Sequence, residues 1–238
     1  DQAKGLASQL GKVWIQTSDT PGFYCTRVLG AYLHEALLLL HEGADIAKVD
    51  FVLRQFGFLH GPFRFMDMAG LELIQKVMDI PVKISTQRQS DQVARGLGGM
   101  VQEGFLGRGS GKGFFIHGRQ DTDKYIINQA AYEWFGGSER RRISSMRIQH
   151  RMVLALLNEA ARCLEEGVIA SPEDGDLGAV YGLGFPAFLG GPFQFADHLG
   201  LSKVVHMLEE LEEDYGTRFN PSLLFREKIA SGLLFYRK

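Results

Sequence analysis

The amino-acid sequence predicts an all-α protein that contains one helical unit twice. Apolar residues recur every three or four positions through most of the 238 residues, which is the spacing of a buried helix face. An eleven-residue block, G-P-F-x-F-x-D-x-x-G-L, occurs at 61–71 and again at 191–201. With 45% hydrophobic residues, the chain is also long enough to bury a substantial core.

The duplication extends upstream of the G-P-F blocks. Arg27 precedes H-E-A-x-x-x-L-x-E-G at 34–43, and Arg151 precedes N-E-A-x-x-x-L-E-E-G at 158–167. The separation between matched positions grows from 124 residues at the arginines to 130 at the G-P-F blocks. Small loop insertions within one shared fold explain this drift, so we divide the chain into two repeats, residues 21–118 and 144–238.

The residues before the first repeat have a different pattern. Residues 1–10 predict a short helix, and V-W-I-Q-T at 13–17 predicts a β-strand because it is apolar and β-branched. A lone strand has no sheet, so we interpret residues 1–20 as the last helix and strand of an α/β domain. We expect residues 13–17 to be poorly ordered or to pair with another molecule. The chain begins without a methionine or a targeting segment, so we expect its start to be a cut in a longer protein.

Each repeat predicts a series of helices. Those of the first repeat are expected at 23–42, 45–56, 61–80 and 92–102, with Pro81 ending the third. Glycine-rich residues 105–117 predict a flap or hairpin. The helices of the second repeat are expected at 144–166, 172–181, 192–215 and 221–230. Residues 119–143 form a linker that should pack, since Ile126, Tyr132 and Trp134 are apolar or aromatic.

The motifs resemble a known family. P-G-F-Y-x-x-R at 21–27, followed by H-E-A, F-G-F and the G-P-F block, resembles the C-terminal helical domain of the 3-hydroxyacyl-CoA dehydrogenases. A-V-Y-G-L-G-F-P-A-F-L-G-G-P-F at 179–193 is similar to the duplicated C-terminal part of the multifunctional fatty-acid oxidation α-subunit. In that family an enoyl-CoA hydratase (crotonase-like) domain and an NAD-binding Rossmann domain precede two helical domains.

The resemblance implies an activity for the parent protein. It would oxidise L-3-hydroxyacyl-CoA to 3-ketoacyl-CoA with NAD in fatty-acid β-oxidation, inside the cell: in the cytoplasm if bacterial, alternatively in the mitochondrial matrix or peroxisome. The helical repeats would close the substrate cleft, and a thiolase subunit is a further candidate partner. No G-x-G-x-x-G follows a strand here, so NAD would be bound upstream. The family's catalytic His and Glu also lie upstream, so we expect no catalytic residue in this chain and no activity from it alone.

The resemblance assigns substrate contacts to two residues. Thr26 stands at the family's Asn in P-G-F-x-x-N-R, which helps to hold the substrate and orient the catalytic His. A threonine hydroxyl is shorter than an amide and offers fewer donors, and Thr26 is alternatively an ordinary helix residue. Tyr181 stands where the multifunctional enzymes carry Tyr or Phe in a loop that reaches the acyl-CoA. Its alternative is a core aromatic before a glycine turn.

Other repeated residues favour structural roles. Asp67 matches Asp197, and Glu35 matches Glu159, whereas a catalytic group would be needed in only one repeat. We expect the aspartates to accept hydrogen bonds, for instance by capping a helix. Residues 107–113 do not form a Walker loop, because only three residues separate the first glycine from Gly-Lys and a glycine follows the lysine. The seven histidines and two cysteines show no metal-ligand spacing.

Charge and hydropathy exclude some classes of partner. A net charge of −2, from 26 basic and 28 acidic residues, does not predict a basic surface that would bind nucleic acid or an anionic membrane. No apolar run approaches the roughly 18 residues that a membrane span requires. A non-enzymatic alternative also stays open: a helical scaffold that binds hydratase or thiolase domains, which the departure at Thr26 favours.

Overall fold

The computed structural model describes residues 2–84, 91–118 and 126–236, which are predominantly helical, as the all-α prediction requires. The helices up to the linker are α1 (Gln2–Gln9), α2 (Phe23–His41), α3 (Ile46–Phe56), α4 (Pro62–Ala69), α5 (Leu71–Ile84) and α6 (Asp91–Gln102). Those of the second repeat are α7 (Ser145–Glu165), α8 (Pro172–Gly178), α9 (Pro192–Leu199), α10 (Leu201–Tyr215) and α11 (Leu223–Ser231). None of the helices in the described ranges is long and apolar enough to cross a membrane.

The order of elements repeats along the chain. Helices α2 to α5 correspond to α7 to α10, and the two longest, α2 and α7, pack against each other at the centre. Both central helices are buried over most of their circumference because each also packs on helices of its own repeat. The buried residues form one continuous cluster that extends across both repeats.

The G-P-F segments do not form single helices as predicted. Each is divided by a glycine with left-handed backbone, Gly70 at φ 92° between α4 and α5 and Gly200 at φ 88° between α9 and α10. Such a φ cannot continue a right-handed helix, and glycine adopts it without a Cβ clash. The predicted break at Pro81 is also wrong, because α5 continues to Ile84 even though proline supplies no N–H donor.

Residues 13–17 do not form the predicted strand. Only Thr17 makes a bridge, antiparallel to Ile169 in the second repeat. Next to it, the Ser18 N–H donates to the Val168 carbonyl at 2.9 Å and the Ser18 hydroxyl donates to the Gly167 carbonyl at 2.6 Å. The end of this segment therefore pairs within its own chain, and not with another molecule as expected.

The glycine-rich loop and the linker pack on the first repeat. Strand β1 (Phe115–Ile116), at the end of the glycine-rich segment, pairs antiparallel with β2 (Ile126–Ile127) of the linker, whereas the predicted flap or hairpin lay within residues 105–117. Linker residues 119–125 lie outside the described residues. Farther along the linker, the buried Tyr132 donates its hydroxyl to Asp45 at 2.8 Å.

Candidate functional site

One aspartate fixes the start of the G-P-F helix in each repeat. Asp50 accepts hydrogen bonds from the N–H groups of Phe63 and Arg64 at 2.9 and 3.0 Å. Asp176 accepts from the matching N–H groups of α9 at 2.7 and 3.1 Å. A Cβ on Gly61 would lie 2.2 Å from the Asp50 carboxyl carbon, so this glycine lets the carboxylate approach. Burial raises the pKa of Asp50 to about 7 and that of Asp176 to about 6.

A second pair of aspartates holds the segment that follows the last helix of each repeat. Asp67 accepts from the N–H groups of Phe114 and Phe115 at 2.9 and 2.8 Å, and lies 2.8 Å from His117 Nε2. Asp197 accepts from two successive N–H groups, those of Phe235 and Tyr236, at 3.1 and 2.9 Å. Both aspartates thus accept structural hydrogen bonds, but neither makes them by capping a helix.

Arg27 joins α2 to α7 through a buried ion pair. Its Nε and Nη2 atoms donate to Glu159 Oε1 at 3.0 and 2.6 Å, and Nη1 donates to Glu166 at 2.6 Å. The arginine is only 3% exposed. Such a desolvated guanidinium requires paired carboxylates, which the second repeat supplies here.

Arg151 of α7 forms the matching buried ion pair with glutamates of the first repeat. It donates to Glu35 at 2.5 Å and to both carboxylate oxygens of Glu42. Its guanidinium carbon lies 3.9 Å from the ring centroid of Tyr215. Each arginine therefore reaches the two glutamates of the other repeat's E-A-…-E-G motif. The repeated motifs contain these residues, but their spacing along the chain does not indicate that the pairs cross between repeats.

Thr26 and Tyr181 come from different repeats into one region. Thr26 is half-buried in the first turn of α2. Tyr181 lies in the π-helical turn Ala179–Leu183, which packs on α2. The Cys25 thiol donates to the Gly178 carbonyl at 3.4 Å, and a Cβ on Gly182 would lie 2.9 Å from Cys25 Sγ. The turn that carries Tyr181 thus packs on the neighbour of Thr26.

Tyr181 is on the surface and is not a core aromatic. Its side chain is 71% exposed at the edge of an open cleft of about 400 Å³. Leu177, Val180 and Ala187 form apolar walls, and the Tyr236 hydroxyl donates to Asp176 at 2.7 Å within the cleft lining. This excludes the core alternative for Tyr181 and leaves its phenol available to a ligand.

The chemistry offered by these two side chains is hydrogen bonding. A threonine hydroxyl or a phenol can orient a polar group. The residues described by the structure contain no parallel sheet and no strand that leads through a glycine-rich turn into a helix. These residues therefore lack the strand, turn and helix by which a Rossmann domain holds a dinucleotide.

Comparison with known proteins agrees with the fold and its duplication. The family of C-terminal domains of 3-hydroxyacyl-CoA dehydrogenase matches twice, over residues 22–117 and 148–236. The fatty acid oxidation complex subunit alpha of Shewanella amazonensis is 39% identical over 231 residues. That match covers 97% of this chain and 32% of the relative, so the chain spans about a third of the relative's length.

Two solved structures share the fold. 3-Hydroxybutyryl-CoA dehydrogenase from Escherichia coli K12 aligns with a TM-score of 0.73 at 22% identity, covering 97% of this chain and 65% of that one. The dehydrogenase part of multifunctional enzyme 1 from Caenorhabditis elegans aligns with a TM-score of 0.63 at 24% identity, covering 84% and 46%. The resemblance inferred from the motifs is confirmed: this chain belongs to the 3-hydroxyacyl-CoA dehydrogenase C-terminal domain family.

Proposed function

We propose that this chain is the helical region of an NAD-dependent 3-hydroxyacyl-CoA dehydrogenase that acts in fatty-acid β-oxidation. The observation that carries the proposal is the double family match along a chain 39% identical to a fatty acid oxidation complex subunit alpha. NAD would be bound by a Rossmann domain, and enoyl-CoA hydration would belong to a crotonase-like domain, both outside these residues. The parent would work inside the cell, in the cytoplasm if it is bacterial, with thiolase as a candidate partner.

The two repeats would have different roles in the parent protein. The first, residues 21–118, would close the substrate cleft against the Rossmann domain, to which residues 1–20 would belong. The second, residues 144–238, would pack behind the first across the linker 119–143. The reciprocal ion pairs of Arg27 and Arg151 support this arrangement, because residues exchanged in both directions are typical of a twofold subunit contact. Fusion makes that contact intramolecular, at high effective concentration.

Thr26 and Tyr181 would contact the substrate. Thr26 stands at the family's Asn and would hydrogen-bond the substrate or the upstream catalytic His. Tyr181 would approach the acyl-CoA from the second repeat, and its exposed phenol at an apolar cleft supports this role. Both would position groups, while the hydride transfer and the catalytic base would belong to the parent's other domains.

The proposed activity is tested by NADH formation. The full-length parent, given NAD and L-3-hydroxyacyl-CoA, should produce NADH, whereas this chain alone should give none above background. Acyl-CoA should bind more tightly to the chain joined to its upstream domain than to the chain alone. A parent that forms no NADH would contradict the proposal.

Thr26 is tested in the same parent. Thr26→Ala should lower dehydrogenase turnover about tenfold, as expected for one lost hydrogen bond in a polar site. Thr26→Asn, which restores the family's residue, should keep or raise turnover. Thr217→Ala removes the hydroxyl of an exposed residue in the second repeat and serves as the control. Unchanged kcat and KM in Thr26→Ala would show that the family's Asn role does not apply here.

The scaffold alternative rests on Thr26, because a chain without dehydrogenase activity would have no need for the family's Asn. It predicts that the parent binds a hydratase or thiolase domain and makes no NADH. A pull-down with those purified domains, combined with the NADH assay, separates the two functions.

A further inference from the structure

Phe23, the first residue of α2, has a strained backbone. Its φ is 48°, and among the described residues it is the one residue other than glycine with a positive φ. A side chain at such a φ costs free energy, because its Cβ approaches the following carbonyl oxygen. The preceding Gly22, at φ 81°, forms no side-chain cap for the helix.

The fold does not require this strain. The matched helix α7 begins behind Ser144, which has an ordinary φ of −64° and accepts a hydrogen bond from the Arg147 N–H at 3.1 Å. The second repeat thus starts the same helix with a capped, unstrained residue. The left-handed start is specific to the first repeat.

Burial does not compensate for the strain either, since the Phe23 side chain is 51% exposed. The next two residues face the second repeat: Tyr24 lies against Gly178, and Cys25 lies against Gly182. Phe23 and Thr26 both lie in the first turn of α2. The strained residue therefore places an exposed aromatic ring in the turn that carries the candidate substrate-contact residue.

We propose that Phe23 determines acyl-chain specificity by forming an apolar wall beside Thr26 on which the acyl chain lies. The inference rests on the proposed dehydrogenase function. A phenyl ring has no hydrogen-bonding group and suits a hydrocarbon chain better than the phosphates of CoA. Strained residues that the fold does not need are concentrated at ligand contacts, and the ring of this strained residue is exposed.

The test compares Phe23→Asn with Phe23→Leu in the full-length parent. Asparagine tolerates the left-handed region but removes the ring, whereas leucine keeps an apolar side chain. Phe23→Asn should raise KM for a long-chain 3-hydroxyacyl-CoA about tenfold and for a four-carbon one by less than about twofold, since longer chains bury more methylenes. Phe23→Leu should retain most of the long-chain preference. The control is Phe51→Asn, at a phenylalanine of α3 that is 58% exposed.

Stability provides a second readout, which does not depend on activity. Relief of strain should raise the melting temperature of Phe23→Asn by about 2–4 °C. A lower melting temperature, or the same change in KM for short and long chains, would overturn the proposal and make Phe23 a structural residue. A wild-type parent that forms NADH while Phe23→Asn leaves KM unaltered would overturn this inference alone. A parent that forms no NADH would overturn the proposed function together with it.

Discussion

In the first repeat, α2 begins at a left-handed glycine and a strained Phe23, whereas in the second repeat α7 begins behind the capping Ser144. Elsewhere the repeats share their internal framework, with matched aspartates on matched N–H groups and matched arginines on matched glutamates. Duplicated interactions therefore define the scaffold. One difference lies at the first turn of α2, which carries Thr26.

The shared interactions also differ in their surroundings. In the second repeat Asp176 accepts a hydrogen bond from the Tyr236 hydroxyl in addition to those from α9. Asp50 accepts hydrogen bonds from two N–H groups of α4, and its pKa is raised further, to about 7 against about 6 for Asp176. Burial is the largest cause of both raised pKa values, and the hydrogen bond from the Tyr236 hydroxyl favours the ionised form of Asp176 and lowers its pKa.

The largest expected effect tests whether the two buried ion pairs between the repeats, Arg27 with Glu159 and Arg151 with Glu35, contribute equally to stability. Arg151→Ala and Arg27→Ala should each reduce the free energy of unfolding by about 3 kcal/mol, because Glu35 and Glu159 are buried and each loses its buried arginine, although Arg218 and Arg162 remain beside them. Chemical unfolding of the two variants measures the loss. The exposed pair of Arg226 and Glu209 provides the control, and Arg226→Ala should cost less than about 1 kcal/mol. A large loss of stability in only one of these two arginine variants would show that the two ion pairs are not equivalent.

A smaller effect concerns Asp50 and Asp176, the two aspartates that cap helices, which should make the stability of the fold depend on pH over different ranges. Burial raises the pKa of Asp50 above its unfolded value of about 3.9, so folding takes up a proton between about pH 4 and 7. The resulting stabilisation is complete below about pH 4 and is lost as pH rises through 7. Asp50→Asn should therefore flatten the fall in stability over this range. Asp176→Asn should flatten it only up to about pH 6.

Urea unfolding midpoints from pH 4 to 8 measure this difference between the repeats. Identical pH profiles for Asp50→Asn and Asp176→Asn would show that the tyrosine hydroxyl does not distinguish the two carboxyls.

The smallest expected effect concerns the cap that only the second repeat carries on its long helix. Ser144→Ala should lower the free energy of unfolding by about 1 kcal/mol, since it removes the acceptor for the Arg147 N–H. Ser202→Ala, at an exposed position within α10, is the matched control and should change stability little. Equal effects of the two substitutions would mean that the different starts of α2 and α7 have no energetic consequence.

The sequence by itself determined the helical class, the duplication, the family and most helix positions. These properties depend on local spacing: Asp45 before α3, or apolar residues at three and four in α2, predict a helix without knowledge of the neighbouring segments. The glycine that opens each G-P-F block is likewise visible in the repeated motif. Only the structure shows that Gly61 makes room for the Asp50 carboxylate.

The tertiary structure decided which segments meet. Arg27 and Glu159 are 132 residues apart, and nothing in the local pattern says whether an arginine pairs within its repeat or across to the other. Residues 13–17 have the composition of a strand, but a strand needs a partner, and here only Thr17 finds one, at Ile169. The exposure of Tyr181 and the positive φ of Phe23 are likewise visible only in the structure. The periodicity of apolar residues indicates which face of a helix is buried, whereas the packing of distant elements decides what covers that face.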